Sequence, residues 1–186
     1  ALVGPYANHI VQDWYSGKPP YQVTILEGIR NAVRGQDVEV RYVPDNQMGR
    51  AEQLAAWADV VLVCVGNHPY GTRTDWKFCP VPSDGREAVD RKALQLPGED
   101  LVKLIHRANP NTVLVLISSF PYSINWSQAH LPAIVQTTHC SQEQGNGLAD
   151  VLFGKVNPAG RLTPTWVRDI TDLGARHYRP AADDGL

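Results

Sequence analysis

The chain has 186 residues, 43% of them hydrophobic, with 14 prolines and 15 glycines. That suits one domain with a sizeable core and many short elements closed by firm turns. The formal net charge of −2 builds no field that favours nucleic acid or an anionic membrane, and no apolar run reaches the ~18 residues a membrane helix needs.

Residues 1–3 are expected to be a strand ended by Gly4-Pro5. The opening has no basic n-region and no long apolar stretch, so no signal peptide is read there, and its strand-like start suggests that more chain precedes it. Thr24-Ile-Leu-Glu27 has the form of a capping box and predicts a helix to about Val33. Residues 38–42 (Val-Glu-Val-Arg-Tyr) alternate at period two and predict a half-buried strand. Residues 51–58 predict a helix with Leu54, Ala55 and Ala58 on one face. Residues 60–65 (Val-Val-Leu-Val-Cys-Val) are apolar throughout, as a parallel strand buried on both faces should be. A long helix-free stretch from Gly66 to Leu96 follows.

Residues 101–108 predict a helix with Leu101, Leu104, Ile105 and Ala108 on one stripe, stopped by Asn109-Pro110. Residues 112–117 (Thr-Val-Leu-Val-Leu-Ile) repeat the buried-strand pattern, and 133–136 predict a shorter strand. Ser141-Gln-Glu-Gln144 is a second capping-box match, predicting a helix to about Leu152 that Gly154 ends. Residues 162–166 are expected as an edge strand, since Pro164 lacks a ladder donor. Strand and helix alternate. The expected class is α/β: an open, mostly parallel sheet with helices on both faces, a three-layer sandwich over residues 1–186.

The Gly66–Leu96 stretch holds the densest chemistry: His68, Tyr70, Arg73, Asp75, Trp76, Asp84, Arg86, Glu87, Asp90 and Arg91. It leaves the carboxyl end of a central strand, where open α/β sheets place ligands, and loops of that length are usually functional. Carboxylates serve proton transfer to a leaving oxygen, and aromatic rings suit the apolar faces of sugars. A solvated loop with surface ion pairs is the competing reading.

Other patterns point less far. Gly145-Asn-Gly-Leu-Ala-Asp150 begins like a dinucleotide fingerprint, but Asp150 replaces the third glycine and the run lies inside a predicted helix. It reads as close helix–sheet packing. His68, Cys79, His139 and Cys140 lack the tight local pairs of a zinc site, so no metal is expected. No other cofactor is expected either. Ser118-Ser119 lacks the G-x-S-x-G elbow and reads as a turn. Cys64 reads as a buried small hydrophobe, and Cys79 and Cys140 pair only if the fold brings them together. Trp126 and Trp166 read as core or domain-interface aromatics.

A run of motifs in chain order resembles the C-terminal sandwich domain of glycoside hydrolase family 3, which contains β-glucosidases and β-xylosidases. It includes Ala1-Leu-Val-Gly-Pro-Tyr-Ala7, Trp14-Tyr-Ser-Gly17 through Tyr21-Gln-Val-Thr-Ile-Leu-Glu-Gly28, and Ala58-Asp-Val-Val-Leu-Val-Cys-Val-Gly66. Glu87-Ala-Val-Asp-Arg91 with Leu94 and Leu96-Pro97 follows, then Asn109-Pro-Asn-Thr-Val-Leu-Val-Leu116. Ser141-Gln-Glu-Gln-Gly145, Ala149-Asp-Val-Leu-Phe-Gly154 and Asn157-Pro-Ala-Gly-Arg-Leu162 with Thr165-Trp166 complete it.

The resemblance implies that a TIM-like barrel precedes this domain and carries an aspartate nucleophile. It implies that this domain lends the acid/base from the loop after its central strand. Glu87 is the first choice for that group and Asp84 the alternative. His68, Tyr70, Trp76 and Arg91 are the implied substrate-binding residues; an Asp90–Arg91 ion pair bracing the loop is the other reading of Arg91. The implied reaction is retaining hydrolysis of a β-glucoside or β-xyloside. The partners would be the barrel and the carbohydrate, and the domain would be inactive without its barrel. The Trp14 stretch leans towards β-xylosidase-like members, and the family suggests a secreted or periplasmic protein. A non-catalytic carbohydrate-binding or interaction module, and a nucleotide-binding α/β domain, remain as alternatives.

Overall fold

The computed structural model of the 186-residue chain describes residues 1–10, 19–67, 91, 93–138 and 142–174. Five strands form one sheet: β1 (Leu2–Val3), β2 (Tyr42–Val43), β3 (Val61–Gly66), β4 (Thr112–Ile117) and β5 (Ala133–Thr137). Their order is β2-β1-β3-β4-β5, and every pairing is parallel. Among the described residues five α-helices accompany them: α1 (Ile25–Ala32), α2 (Arg50–Trp57), α3 (Glu99–Ala108), α4 (Asn125–His130) and α5 (Gln144–Leu152).

That strand order and the right-handed crossover rule together dictate the layers. The step from β1 to β2 runs one way across the sheet. The steps from β2 to β3, β3 to β4 and β4 to β5 run the other way. Helix α1 must therefore cover one face, and α2, α3 and α4 the opposite face. The cores agree. On one side Ile25, Leu26 and Ile29 of α1 join Leu148 and Ala149 of α5 over Leu2, Leu62, Cys64, Val115 and Ile117. On the other, Ala51, Leu54 and Ala55 of α2 join Val102 and Ile105 of α3 over Val3, Val61, Val63, Val65, Leu114 and Leu116. Alternate residues of β3 thus enter opposite cores, which is why the whole strand is apolar and buried. Each fully buried Leu, Ile or Val side chain contributes about 1.5–3 kcal/mol of transfer free energy.

The first capping box forms as the sequence predicts. The Thr24 hydroxyl accepts from the Glu27 N–H at 3.2 Å, and the Glu27 carboxylate accepts from the Thr24 N–H at 2.8 Å. Gly154 ends α5 with φ +72°, and the Lys155 N–H donates to the Asp150 carbonyl at 2.8 Å behind it.

Several expectations are corrected. Strand β2 is only Tyr42–Val43, because β1 offers partners only at Leu2 and Val3; the Leu2 N–H still donates to the Arg41 carbonyl at 2.9 Å, residues 38–40 join no ladder, and Val40 packs against the core beneath α1 and α5. Residues 162–166 are not a strand. Leu162 is exposed, and the segment makes no ladder with β5. In α3 Leu101, Ile105 and Ala108 of the expected stripe pack into the core, Val102 joins them as a fully buried member, and Leu104 does not take part. Helix α5 begins at Gln144 with Glu143 at the N-cap and no side-chain cap bond; Ser141 lies outside the described residues. Helix α4, absent from the sequence reading, carries Trp126, which stacks on His130 at 4.6 Å and meets His106 edge-on at 5.6 Å.

Candidate functional site

In an open parallel sheet, ligands sit outside the carboxyl ends of the strands where the connections diverge to opposite faces. Here that point lies between β1 and β3, whose following helices, α1 and α3, cover opposite faces. Two glycines make the edge. Gly4 has φ +113°, and a Cβ there would stand 2.3 Å from the Cys64 carbonyl oxygen; Gly66 has φ +144°, and a Cβ there would stand 1.9 Å from the Ile117 carbonyl oxygen. Neither position accepts a side chain, so both turns are fixed in the backbone.

Beyond Gly66, the Asn67 N–H donates to the Ile117 carbonyl at 3.0 Å. The chain then enters the stretch singled out above. Of its candidates, Glu87, Asp84, His68, Tyr70 and Trp76 lie outside the described residues, as do Asp90 and Cys79. Arg91 is described and half-buried. Its Nη1 donates to the Pro121 carbonyl at 2.6 Å. Its guanidinium lies over the Tyr122 ring at 4.5 Å and the Phe120 ring at 5.4 Å. A planar, weakly hydrated guanidinium is well suited to that stacked, carbonyl-capped seat.

Downstream, the Ser123 N–H donates to the Leu94 carbonyl at 2.6 Å, and Gln95 and Ser123 form a parallel bridge. Leu94 and Leu96 are buried. Both roots of the long stretch therefore rest on the end of β4 and the turn after it: Asn67 on Ile117 at one side, and Arg91, Leu94 and Gln95 on residues 121–123 at the other.

The turn itself is built by Ser118. Its hydroxyl bonds the Phe120 carbonyl and accepts from the Phe120 N–H at 3.0 Å, while Gln136 Nε2 donates to the Ser118 carbonyl at 2.8 Å. The reading of Ser118 as a turn former holds. The seat formed by Phe120, Pro121 and Tyr122 escaped the sequence reading. Its only signal there is an aromatic-proline-aromatic run directly after a buried strand.

The Gly145 run is not nucleotide-binding in form. Gly145 lies against Thr24 and Gly28 of α1, so the close approach is between two helices rather than between helix and sheet. Cys64 is free and buried, and burial pushes its thiol well above the ordinary range. Cys140 and His139 lie outside the described residues. A groove of about 850 Å³ runs along the outer edge of β5, walled by Ile134, Gln136, Arg161 and Trp166. A second, of about 420 Å³, lies at the amino edge beside Val38, Trp57, Val60 and Phe153. No helix among the described residues is long and apolar enough to cross a membrane.

Comparison with known proteins places this architecture. The family described as the glycosyl hydrolase family 3 C-terminal domain matches residues 1–185. A beta-xylosidase of Formosa agariphila is 33% identical over 188 residues, covering 91% of this chain and 24% of that protein. A probable beta-glucosidase J of Emericella nidulans is 38% identical over 123 residues, 65% of this chain and 13% of that protein. Among solved structures, a β-glucosidase of Erythrobacter marinus superposes with a TM-score of 0.75 at 27% identity, covering 92% of this chain and 26% of that one. A family 3 β-glucosidase of Bifidobacterium adolescentis superposes with a TM-score of 0.71 at 27% identity, covering 92% and 25%. The chain thus spans about a quarter or less of the length of these proteins. With a five-stranded, doubly wound sheet and a family match over nearly its whole length, the chain belongs to glycosyl hydrolase family 3 as its C-terminal domain.

Proposed function

We propose that this domain supplies the acid/base loop and one wall of the sugar pocket of a longer retaining β-glycosidase. A TIM-like barrel in the same polypeptide would supply the nucleophile. The observation that carries this reading is the family match over residues 1–185, within which the carboxylate-rich stretch leaves the carboxyl end of β3. The substrate class is a β-glucoside or β-xyloside, in keeping with the names of the relatives. A secreted or periplasmic location accords with the same family.

In the first step the barrel's carboxylate bonds to the anomeric carbon as the glycosidic C–O bond breaks. Glu87, or Asp84 in its place, gives its proton to the departing oxygen, and the aglycone leaves as an alcohol. In the second step water attacks the anomeric carbon, its proton returns to the same carboxylate, and the nucleophile is released. Such an acid must hold its proton near neutral pH, which requires partial burial. The barrel and the bound sugar would provide it. His68, Tyr70 and Trp76 would line the sugar subsite.

The test has two arms. The 186-residue chain alone should release no product from aryl β-glucosides or β-xylosides; turnover by the chain alone sinks the divided site. In the polypeptide that includes the barrel, Glu87→Ala should slow turnover by about 10²–10⁴-fold, the usual worth of a general acid, with partial rescue by azide on activated substrates. If Asp84→Ala does so instead, the acid is Asp84. If neither does, the domain is a non-catalytic carbohydrate-binding module, which calorimetry with glucose, xylose and their oligomers would detect.

A further inference from the structure

The Arg91 seat bears on how the proposed proton donor is held. Arg91 stands four residues beyond Glu87 and seven beyond Asp84. It is fixed by one strong donor bond to the Pro121 carbonyl at 2.6 Å and by stacking over Tyr122 at 4.5 Å. A guanidinium offers its donors in a rigid plane, so the carbonyl bond and the ring stacking together hold the Arg91 head group in one orientation. The turn that receives it is itself rigid: Ser118 closes it from within, and Gln136 of β5 holds the Ser118 carbonyl at 2.8 Å. Tyr122 is buried, with 3% of its surface exposed, so the ring beneath the guanidinium is part of the core beneath α2 and α3. The other root of the stretch is tied by Asn67 to Ile117, the last residue of the strand that feeds the same turn. Leu94 and Gln95 then continue the contact to Ser123.

We infer that Arg91 is a positioning residue for the acid/base: docked on Pro121 and Tyr122, it fixes the carboxyl-terminal root of the carboxylate-bearing loop against the end of β4. This rests on the reading of that loop as the source of the proton donor. A general acid is effective only within hydrogen-bond reach of the departing oxygen, and displacement of about 1 Å can cost on the order of 10²-fold. Arg91 therefore acts through Glu87 or Asp84 and does not itself need to touch the sugar.

The experiment uses the polypeptide with its barrel and compares two glycosides, one with a methyl or other alkyl leaving group and one with 2,4-dinitrophenyl. The alkyl leaving group needs a proton to depart; the dinitrophenyl group does not. Arg91→Met and Arg91→Lys should each lower kcat/KM for the alkyl glycoside by about 10–100-fold, while the dinitrophenyl glycoside changes by less than about threefold. Arg91→Lys keeps the charge but loses the planar donor pair and the stacking, so it should resemble Arg91→Met rather than wild type. It also serves as the folded comparison should Arg91→Met lose its cooperative melting transition.

Equal losses on both glycosides would overturn the inference, because a merely structural role lowers the amount or general competence of enzyme without regard to the leaving group. No change on either would also overturn it. Glu87→Ala and Asp84→Ala run on the same pair separate the two levels. If one of them is selective for the alkyl glycoside and the Arg91 variants are not, only the inference about Arg91 fails. If neither carboxylate variant is selective, the reading of the loop as the acid source fails.

Discussion

Gly28 of α1 and Gly145 of α5 approach so closely that a Cβ on Gly28 would stand 2.0 Å from the Gly145 carbonyl carbon. One on Gly145 would stand 1.9 Å from the Thr24 carbonyl oxygen. The obstructing atoms are backbone, so no rotamer change relieves them. The two helices are also joined through main chain, with the Gly145 N–H donating to the Val23 carbonyl at 2.9 Å and the Val23 N–H to the Gln142 carbonyl at 2.8 Å. This pair sets the spacing of the layer that covers Leu2, Leu62 and Val115.

Gly28→Ala and Gly145→Ala should each destabilise the fold by about 1–3 kcal/mol or more, as overpacking does. Gly147 is the control on the same helix. It is exposed, and a Cβ there meets nothing within 4 Å. Gly147→Ala should stabilise by roughly 0.4–1 kcal/mol, through helix propensity and a less flexible unfolded chain. Urea midpoints of the three variants decide the matter; equal effects at Gly145 and Gly147 would refute the close-packing argument.

Cys64 gives a pH prediction. Its thiol is buried at the centre of β3, and burial raises its pKa above the ordinary value of 9.0. The unfolded chain loses that proton as pH passes about 9, while the folded chain keeps it. The folded state then binds more protons, so stability falls as pH rises. The neutral thiol's contribution is complete below the ordinary value and is lost progressively above it. The slope expected from this group is about 1.4 kcal/mol per pH unit. Denaturation of wild type and Cys64→Ala between pH 8 and 10.5 should show the difference between them shrinking with pH. Parallel curves would mean the thiol ionises in the fold.

The first capping box yields a local prediction. Thr24→Ala removes the hydroxyl that accepts the Glu27 N–H at 3.2 Å and leaves the reciprocal bond from the Thr24 N–H intact. A loss of about 0.5–2 kcal/mol is expected, read as a lower urea midpoint. Thr24→Ser keeps the hydroxyl and should recover most of it.

What the sequence revealed followed from how local each signal is. Strands β3 and β4 are buried on both faces, so their apolar runs marked them almost to the residue. The Thr24–Glu27 box lies within one helical turn and needed no tertiary partner. Residues 38–42 alternated correctly but could pair only where β1 reached, which a local pattern does not encode. In α3 the expected stripe was right at Leu101, Ile105 and Ala108 but missed Val102, because the facing surface, Val63, Val65 and Leu114, sets the rotation of an amphipathic helix. Gly145 looked like a packing glycine, but that its partner was α1 followed only once β5 was placed at one edge and α5 returned across the sheet. Arg91 was legible as a family position. Its seat was not, because Pro121 and Tyr122 lie 30 and 31 residues further on.

Asn109 carries the last prediction. It sits at the end of α3, buried, with its Nδ2 donating to the Ala55 carbonyl at 2.9 Å and the Ala58 carbonyl at 2.6 Å. Its Oδ1 accepts from the Asn111 N–H at 2.9 Å, and the Thr112 hydroxyl donates to its main-chain carbonyl at 2.6 Å. One amide thereby joins the end of α2, the end of α3 and the start of β4. Asn109→Ala removes the side-chain partner of two carbonyls, each costing about 1–3 kcal/mol if left unmet. Asn109→Asp keeps the size and the acceptor but replaces the donor with an oxygen facing both carbonyls. Unless that carboxyl takes up a proton, the site then holds three oxygens and no hydrogen between them. Asn109→Asp should therefore be the more destabilised variant at pH 8 and should regain stability as pH falls towards 5, whereas Asn109→Ala should show no such regain beyond wild type. Thermal melting of the three proteins at the two pH values tests this directly; if Asp proves as stable as Asn at pH 8, the two carbonyl bonds do not hold the joint.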